Sequence, residues 1–276
     1  MTDALVSTAW VAERLASPGV RVIEVSSTGR EEYARGHIEG ALAIDWKREL
    51  IEREDESSGM VIAPERFREL ARRLGLRPDD TLVFYGDRGG RHACRALWTF
   101  AYFRHAGGLH VMDGGREAWQ GEGRPMPGDV PVVTPSDYAQ PFAPDESIRA
   151  TREEIVARLD DDGFAVLDAR TEGEHAGTDV RAKRGGRIPG ARHIFWQDAV
   201  TEDGRFRPKE ELAALYERFS PESTVAAHCQ LGMRSAHTWF VLRYILGYPD
   251  VKNYDGSWRE WGDRDDTPID PSTGSG

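Results

Sequence analysis

The chain has 276 residues, of which 39% are apolar and 30% charged; this excludes fibrous, disordered and membrane-embedded classes and gives room for two domains of ordinary size. Its 36 Lys and Arg against 47 Asp and Glu leave a formal charge of -11, which argues against nonspecific binding to nucleic acid or anionic membrane, so any basic site has to be local. Only two cysteines occur, Cys94 and Cys229, in different halves of the chain, so a disulfide framework is excluded and each is either a small buried apolar residue or a reactive thiol.

From the N-terminus, Met1 to Leu15 contains Asp3 and Glu13 and no long apolar run, which predicts neither a signal peptide nor a membrane helix and, by default, a cytoplasmic protein. Residues 22–41 then open a pattern that returns at residues 166–191 with a short insertion. The echo continues through Thr81–Gly86 against Thr224–Cys229 and Val111–Gly115 against Asn253–Ser257. The offset is 144 at Glu24/Asp168, 143 at Gly86/Cys229 and 142 at Asp113/Asp255, so the chain reads as a tandem repeat. The first copy includes an apolar helix from Ala93 to Phe103 that carries Cys94 with no loop or glycine after it, which predicts a packed, inert thiol. A proline-rich stretch without helical period then reads as an extended linker. The expected division is an N-terminal domain over 1–124, a linker over 125–147, a C-terminal domain over 148–262 and a frayed tail over 263–276.

In the second copy, Thr151-x-x-Glu154 predicts a capped helix through Leu159, followed by a strand over Phe164–Asp168 and a helix near Lys209–Phe219. A strand over Val225–His228, a long helix over about Arg234–Leu246 and a strand over Val251–Tyr254 complete it. Strands alternating with helices imply an α/β fold, a mostly parallel sheet flanked by helices with its site beyond the carboxyl ends of the strands.

That position is held by Ala227-His228-Cys229-Gln230-Leu231-Gly232-Met233-Arg234-Ser235. A cysteine directly after a buried strand, separated by four residues from an arginine that opens a helix, describes an anion cradle. Loop N–H groups, the helix N-terminus and Arg234 favour the thiolate, and Gly232 lets the loop turn tightly. A core residue ending a strand is the bland alternative for Cys229; the conjunction of strand, cysteine, glycine, arginine and helix argues against it. His228 and the Asp168/Arg170 pair read as structural.

With these residues in place, the chain resembles the tandem-domain rhodaneses, the thiosulfate and 3-mercaptopyruvate sulfurtransferases, over nearly its whole length. The family's C-terminal motif is met without a gap by Val251 through Trp261, and weakly at Val111–Trp119, where Arg116 stands in for Trp258. Its second signature is met by Tyr33, His37, Ile38, Gly40 and Ala41 with Glu39 in the proline's place, and by Ile188-Pro189-Gly190-Ala191 with Arg187 in the histidine's. Gly86 stands opposite Cys229 while Gly89 and Arg91 match Gly232 and Arg234, so the N-terminal copy lacks the nucleophile.

The resemblance implies two rhodanese-like domains and a double displacement in which Cys229 takes a sulfane sulfur as a persulfide and passes it to cyanide or a thiol, with no cofactor and no metal. Gln230, Leu231, Gly232, Met233 and Arg234 would form the persulfide cradle. Arg187, in the basic run Arg181, Lys183, Arg184, Arg187, is the candidate contact for a small anionic sulfur donor. Family loops with arginine at the position of Arg234 favour thiosulfate; Gln230 and Leu231 fit neither donor class, and 3-mercaptopyruvate stays an alternative. A sulfur-relay protein with a protein acceptor is a second alternative. A cysteine phosphatase or arsenate reductase is a third, opposed by the Cys-x4-Arg loop, one residue shorter than the Cys-x5-Arg of related phosphatases.

Overall fold

The structure, a computed structural model, describes residues 4–52, 59–139 and 143–270. These form two compact units. The first takes the described residues before 53 together with Val61–Asp145 and Val200–Phe206, and the second Gly59 and Met60 with Glu146–Ala199 and Arg207 onward.

Unit 1 is built on five strands, β1 (Leu5–Val6), β2 (Val20–Glu24), β3 (Leu42–Ala43), β4 (Thr81–Tyr85) and β5 (Leu109–Met112), in the order β1-β5-β4-β2-β3 and all parallel. Unit 2 has β6 (Phe164–Asp168), β7 (Arg192–His193), β8 (Thr224–His228) and β9 (Val251–Asn253), in the order β7-β6-β8-β9 and again parallel. Helices flank both sheets, so central strands are covered on both faces. Every residue of β8 is buried, which is why Thr-Val-Ala-Ala-His reads as a run rather than an alternation. In unit 2, Ile155, Phe164, Val166, Ile188, Ala226, Trp258 and Trp261 form one core cluster.

The repeat seen in the sequence is a repeat of backbone bonding. Val25 N donates to Tyr85 O at 2.7 Å and Ala169 N to His228 O at 2.9 Å; Ile44 N donates to Glu24 O at 2.9 Å and Ile194 N to Asp168 O at 3.1 Å. Elements fall close to their expected places, with two differences. The expected long helix is α-helical over Met233–Phe240 and widens into a π-helical stretch over Val241–Leu246, ending at left-handed Gly247. The reciprocal capping box sits at Thr171 and Glu174, not at Thr151 and Glu154. Thr151 does accept from Glu154 N, but the Glu154 carboxylate turns away to Lys252 and Arg158.

Residues 125–139 of the linker stretch carry no helix or strand. Beyond Asp263 the chain is pinned as far as Asp270: Trp261 Nε1 donates to Pro268 O at 2.7 Å, Thr267 Oγ1 to Trp261 O at 2.6 Å, and Arg187 and Asp270 exchange backbone bonds. Among the described residues no helix is long and apolar enough to cross a membrane.

Candidate active site

Cys229 follows β8 directly, at the carboxyl end of the central strand pair of unit 2, and is 1% exposed. The loop that follows turns at Gly232, whose φ of +76° is a left-handed value that glycine adopts without penalty, and the helix Met233–Phe240 begins at once. Sequence and geometry agree on the reason: a short loop between a buried strand and a helix start has to fold its amides inward around the first side chain.

Three groups converge on the Cys229 sulfur. Gly232 N donates to Sγ at 3.1 Å, and the hydroxyls of Ser235 and Ser257 lie 3.6 and 3.9 Å away. Burial pushes the thiol up, but the Arg234 charge, the Ser235 N–H and hydroxyl, and the Leu231 N–H outweigh it, and the thiol titrates below its ordinary value. The site therefore stabilises a sulfur anion.

Arg234 is itself held. Its Nη1 and Nη2 donate to the Glu174 carboxylate at 2.6 and 2.8 Å in a bidentate pair, and Glu174 has no exposed side-chain surface. The same carboxylate accepts from Thr171 N at 3.0 Å, closing the capping box of the helix Glu172–Ala176. Burial pushes the Glu174 carboxyl up, and the Arg234 bonds and charge more than reverse this, bringing it down to about 2.

Behind the sulfur, the backbone of Cys229 is fixed from the segment after β9. Ser257 Oγ accepts from Cys229 N at 3.0 Å and donates to Tyr254 O at 2.8 Å, while Trp258 N donates to Cys229 O at 2.9 Å. To do so, Ser257 sits at φ +54°, a left-handed conformation that costs a residue with a Cβ roughly 1–2 kcal/mol. Arg170 lies over the Trp258 ring at 4.3 Å and binds Asp168 through Nε at 2.9 Å and Nη2 at 2.7 Å. His175 Nδ1 meets the same carboxylate at 2.8 Å. Burial raises the Asp168 carboxyl, but His228, His175 and Arg170 hold it well below the usual range. Burial lowers His228 to about 4, so its ring is neutral at pH 7; it faces Asp168 and the Cys229 carbonyl, a structural placement.

The corresponding position in unit 1 explains why that copy has no nucleophile. A Cβ on Gly86 would come within 2.3 Å of Val25 O, closer than any side chain is tolerated. The surrounding scaffold is otherwise kept: Arg116 N donates to Gly86 O at 2.8 Å, and Gly115, opposite Ser257, has φ +52°. The buried ion pair is kept as well, with its cation moved. Arg116, at the tryptophan position, binds Glu24 at 3.0 Å, where unit 2 uses Arg170 against Asp168 and keeps Trp258 as the stacking partner. Cys94 is fully buried, and burial puts its thiol well above its ordinary value.

Of the cradle residues expected from the sequence, Gly232 and Arg234 meet the sulfur by hydrogen bond or charge, and Leu231 contributes its N–H. Gln230 Nε2 donates to Arg181 O at 2.8 Å, and Met233 is buried at the helix start. Leu231 O and Asp255 O lie 2.5 and 2.7 Å from where a Cβ on Gly59 would be, so only glycine fits there. Arg187 is placed against Asp270 at 3.8 Å, and Arg184 is spent on the carbonyls of Trp261 and Thr267. The member of the basic run tied to the cradle is Arg181, half-exposed and 3.9 Å from Glu174. The sequence reading missed Glu174, Ser235 and Ser257. Thr171-x-x-Glu174 is a capping-box pattern and was available as a signal for Glu174, and Ser257 lies inside the motif Val251–Trp261; nothing local marks Ser235.

The rhodanese-like domain model matches the chain twice, over residues 7–122 and 151–264. The chain belongs to the rhodanese-like family. A sulfur carrier protein, TtuD, from Thermus thermophilus is 42% identical over 280 residues, covering 97% of this chain and 96% of that protein. A thiosulfate sulfurtransferase from Corynebacterium glutamicum is 39% identical over 277 residues, covering 97% and 90%. In fold, the chain is similar to SseA from Escherichia coli, described as a 3-mercaptopyruvate sulfotransferase, with a TM-score of 0.83, 24% identity, and coverage of 93% of this chain and 99% of that one. It is likewise similar to the anaerobic ergothioneine biosynthesis enzyme of Chlorobium limicola, with a TM-score of 0.87 at 22% identity, covering 98% and 71%. This rhodanese-like chain is a sulfurtransferase by activity class, with two tandem domains of which only the second carries a cysteine after its central strand.

Proposed function

We propose that the protein moves sulfane sulfur from thiosulfate through a persulfide on Cys229. The thiolate attacks the outer sulfur; the S–S bond of thiosulfate breaks, its electron pair leaves with sulfite, and a Cys229 persulfide forms. A cyanide ion or thiolate then attacks the outer sulfur, and the Cys229 thiolate is released. Gly232 N–H and the Ser235 hydroxyl, already directed at Sγ, offset the negative charge that stays on sulfur throughout. Leu231 and Arg234 supply a further amide and the nearest positive charge, and no cofactor or metal enters any step. A cytoplasmic, reducing setting, in which a free thiol persists, belongs to this reading.

The observation that carries the proposal is the convergence of donors on a buried sulfur whose thiol is held below its ordinary value. Intact-mass measurement after incubation with thiosulfate tests it: one added sulfur atom on the native chain, and none on Cys229→Ser, is the expected result. A native chain that takes no sulfur from thiosulfate while taking it from 3-mercaptopyruvate would move the donor assignment to the latter. A second reading, delivery to a protein acceptor, is favoured by the 42% identity to a sulfur carrier protein across 97% of the chain. It predicts slow turnover with cyanide and fast transfer from the persulfide to a protein thiol.

A further inference from the structure

The cradle's cation does not face the incoming substrate alone. Arg234 commits Nη1 and Nη2 to a bidentate pair with a carboxylate that has no exposed surface, at 2.6 and 2.8 Å. A second guanidinium near the cradle, that of Arg181, is 52% exposed and is divided between Asp179, at 2.6 Å, and Glu174, at 3.9 Å. Its backbone carbonyl accepts from Gln230, the residue after Cys229, which places it beside the loop. Two guanidinium charges thus meet two carboxylates and, in the reactive form, the thiolate. The group is net negative, with Glu174, Arg234 and the sulfur buried where low dielectric makes each charge count, and with Arg181 and Asp179 at its exposed edge.

From this balance we infer that Glu174 is a positioning residue that tunes how the cradle responds to donor charge: by pairing with Arg234 it limits how tightly a dianionic donor such as thiosulfate is held, and affects donors and acceptors of lower charge less. The inference rests on the reading of Cys229 as the sulfur-accepting thiol and adds a determinant that reading does not contain. It also gives the Glu174 capping box a consequence beyond helix stability. The carboxylate is held in place by Thr171 N from one side, so it cannot swing away from Arg234 without opening the helix start.

The variant that isolates this charge is Glu174→Gln, because glutamine at the same position still serves a capping box while losing the negative charge. Glu174→Asp keeps the charge and is the control for damage to the helix. Two measurements on the full-length chain separate selectivity from sulfur reactivity. In the first, alkylation of Cys229 by uncharged iodoacetamide is followed by peptide mass at constant ionic strength, with sulfate added as a dianion that donates no sulfur. The sulfate concentration giving half-protection is expected to fall about tenfold in Glu174→Gln, as one unit charge near a dianion implies, and to stay close to native in Glu174→Asp. In the second, the rates of sulfur uptake from thiosulfate and from 3-mercaptopyruvate are each divided by the iodoacetamide rate. The thiosulfate ratio is expected to rise about tenfold and the mercaptopyruvate ratio about threefold.

Equal half-protection by sulfate in the native and Glu174→Gln chains overturns the inference, as does a thiosulfate rate that changes only in step with iodoacetamide. If neither donor transfers sulfur to any of the three chains, the proposed function fails, and the sulfate arm still decides the role of Glu174.

Discussion

Replacing Arg234 with glutamine removes the charge that favours the Cys229 thiolate and, in the same step, strips a buried carboxylate of its partner. The two consequences are read separately. For the sulfur, burial is left as the largest influence, opposed by the Ser235, Leu231 and Gly232 donors, so the thiol moves up. A unit charge near a buried sulfur is worth about one to two pH units at an effective dielectric near 20. The midpoint of the pH dependence of iodoacetamide alkylation is therefore expected to rise by at least about one unit, with a roughly tenfold slower reaction at pH 7.

For the fold, the sign follows from Glu174. In the native chain its carboxyl falls from an ordinary 4.5 to about 2, so the stability it contributes is complete above 4.5 and is lost as the pH falls through about 2. That contribution is about 2–3 kcal/mol at pH 7. In Arg234→Gln most of it is absent and the buried charge keeps as its cation only the more distant Arg181, at 3.9 Å, for a total loss of about 3–5 kcal/mol at pH 7, narrowing as the pH is lowered and Glu174 takes up a proton. Urea unfolding of both chains at pH 7 and near pH 3 checks the narrowing. An alkylation midpoint that does not move, or a stability gap that widens in acid, refutes the reasoning.

Gly86→Cys is expected to yield no second sulfur-accepting site and to destabilise unit 1 by more than about 3 kcal/mol, since its Cβ would meet Val25 O at 2.3 Å; intact mass after thiosulfate and urea unfolding read both effects. Asp168→Asn leaves Arg170 buried beside a neutral amide, and a loss of about 3–5 kcal/mol is expected in chemical denaturation, against less than 1 if the pair were incidental. Ser257→Ala keeps the left-handed backbone but leaves the buried Cys229 N–H without its acceptor, at about 1–3 kcal/mol, while Ser257→Gly also relieves the strained φ. The glycine variant is expected to be the more stable of the two in urea, with Cys229 alkylation slowed in both.

The tandem repeat, the parallel strands and the cysteine cradle were legible because each rests on neighbours in sequence. Five buried residues before Cys229 and a glycine and an arginine after it define strand, turn and helix start within eleven residues, from Thr224 to Arg234. The partner of Arg234 was not legible in the same way, because Glu174 lies 60 residues earlier and meets it only after β6 and β8 pair. The assignment of Arg187 over Arg181 followed a motif position, whereas the placement of Arg187 against Asp270 depends on the path of residues beyond the last helix. Arg116 in a tryptophan position reads from sequence as a weakened motif; the structure turns it into a substitution with a reason, a cation delivered to Glu24 from a different element. Nor does colinear repetition foretell that Val200–Phe206 packs with unit 1, where Phe206 N donates to Asp113 Oδ1 at 2.9 Å.

On the proposed reading one thiol, Cys229, accepts and carries the sulfur. Peptide-level mass spectrometry of the full-length chain after a brief exposure to thiosulfate tests it most directly. A single added sulfur is expected on the peptide containing Cys229, removed by cyanide, with none on the peptide containing Cys94. Sulfur found on Cys94, or an added sulfur that persists in Cys229→Ser, would contradict it.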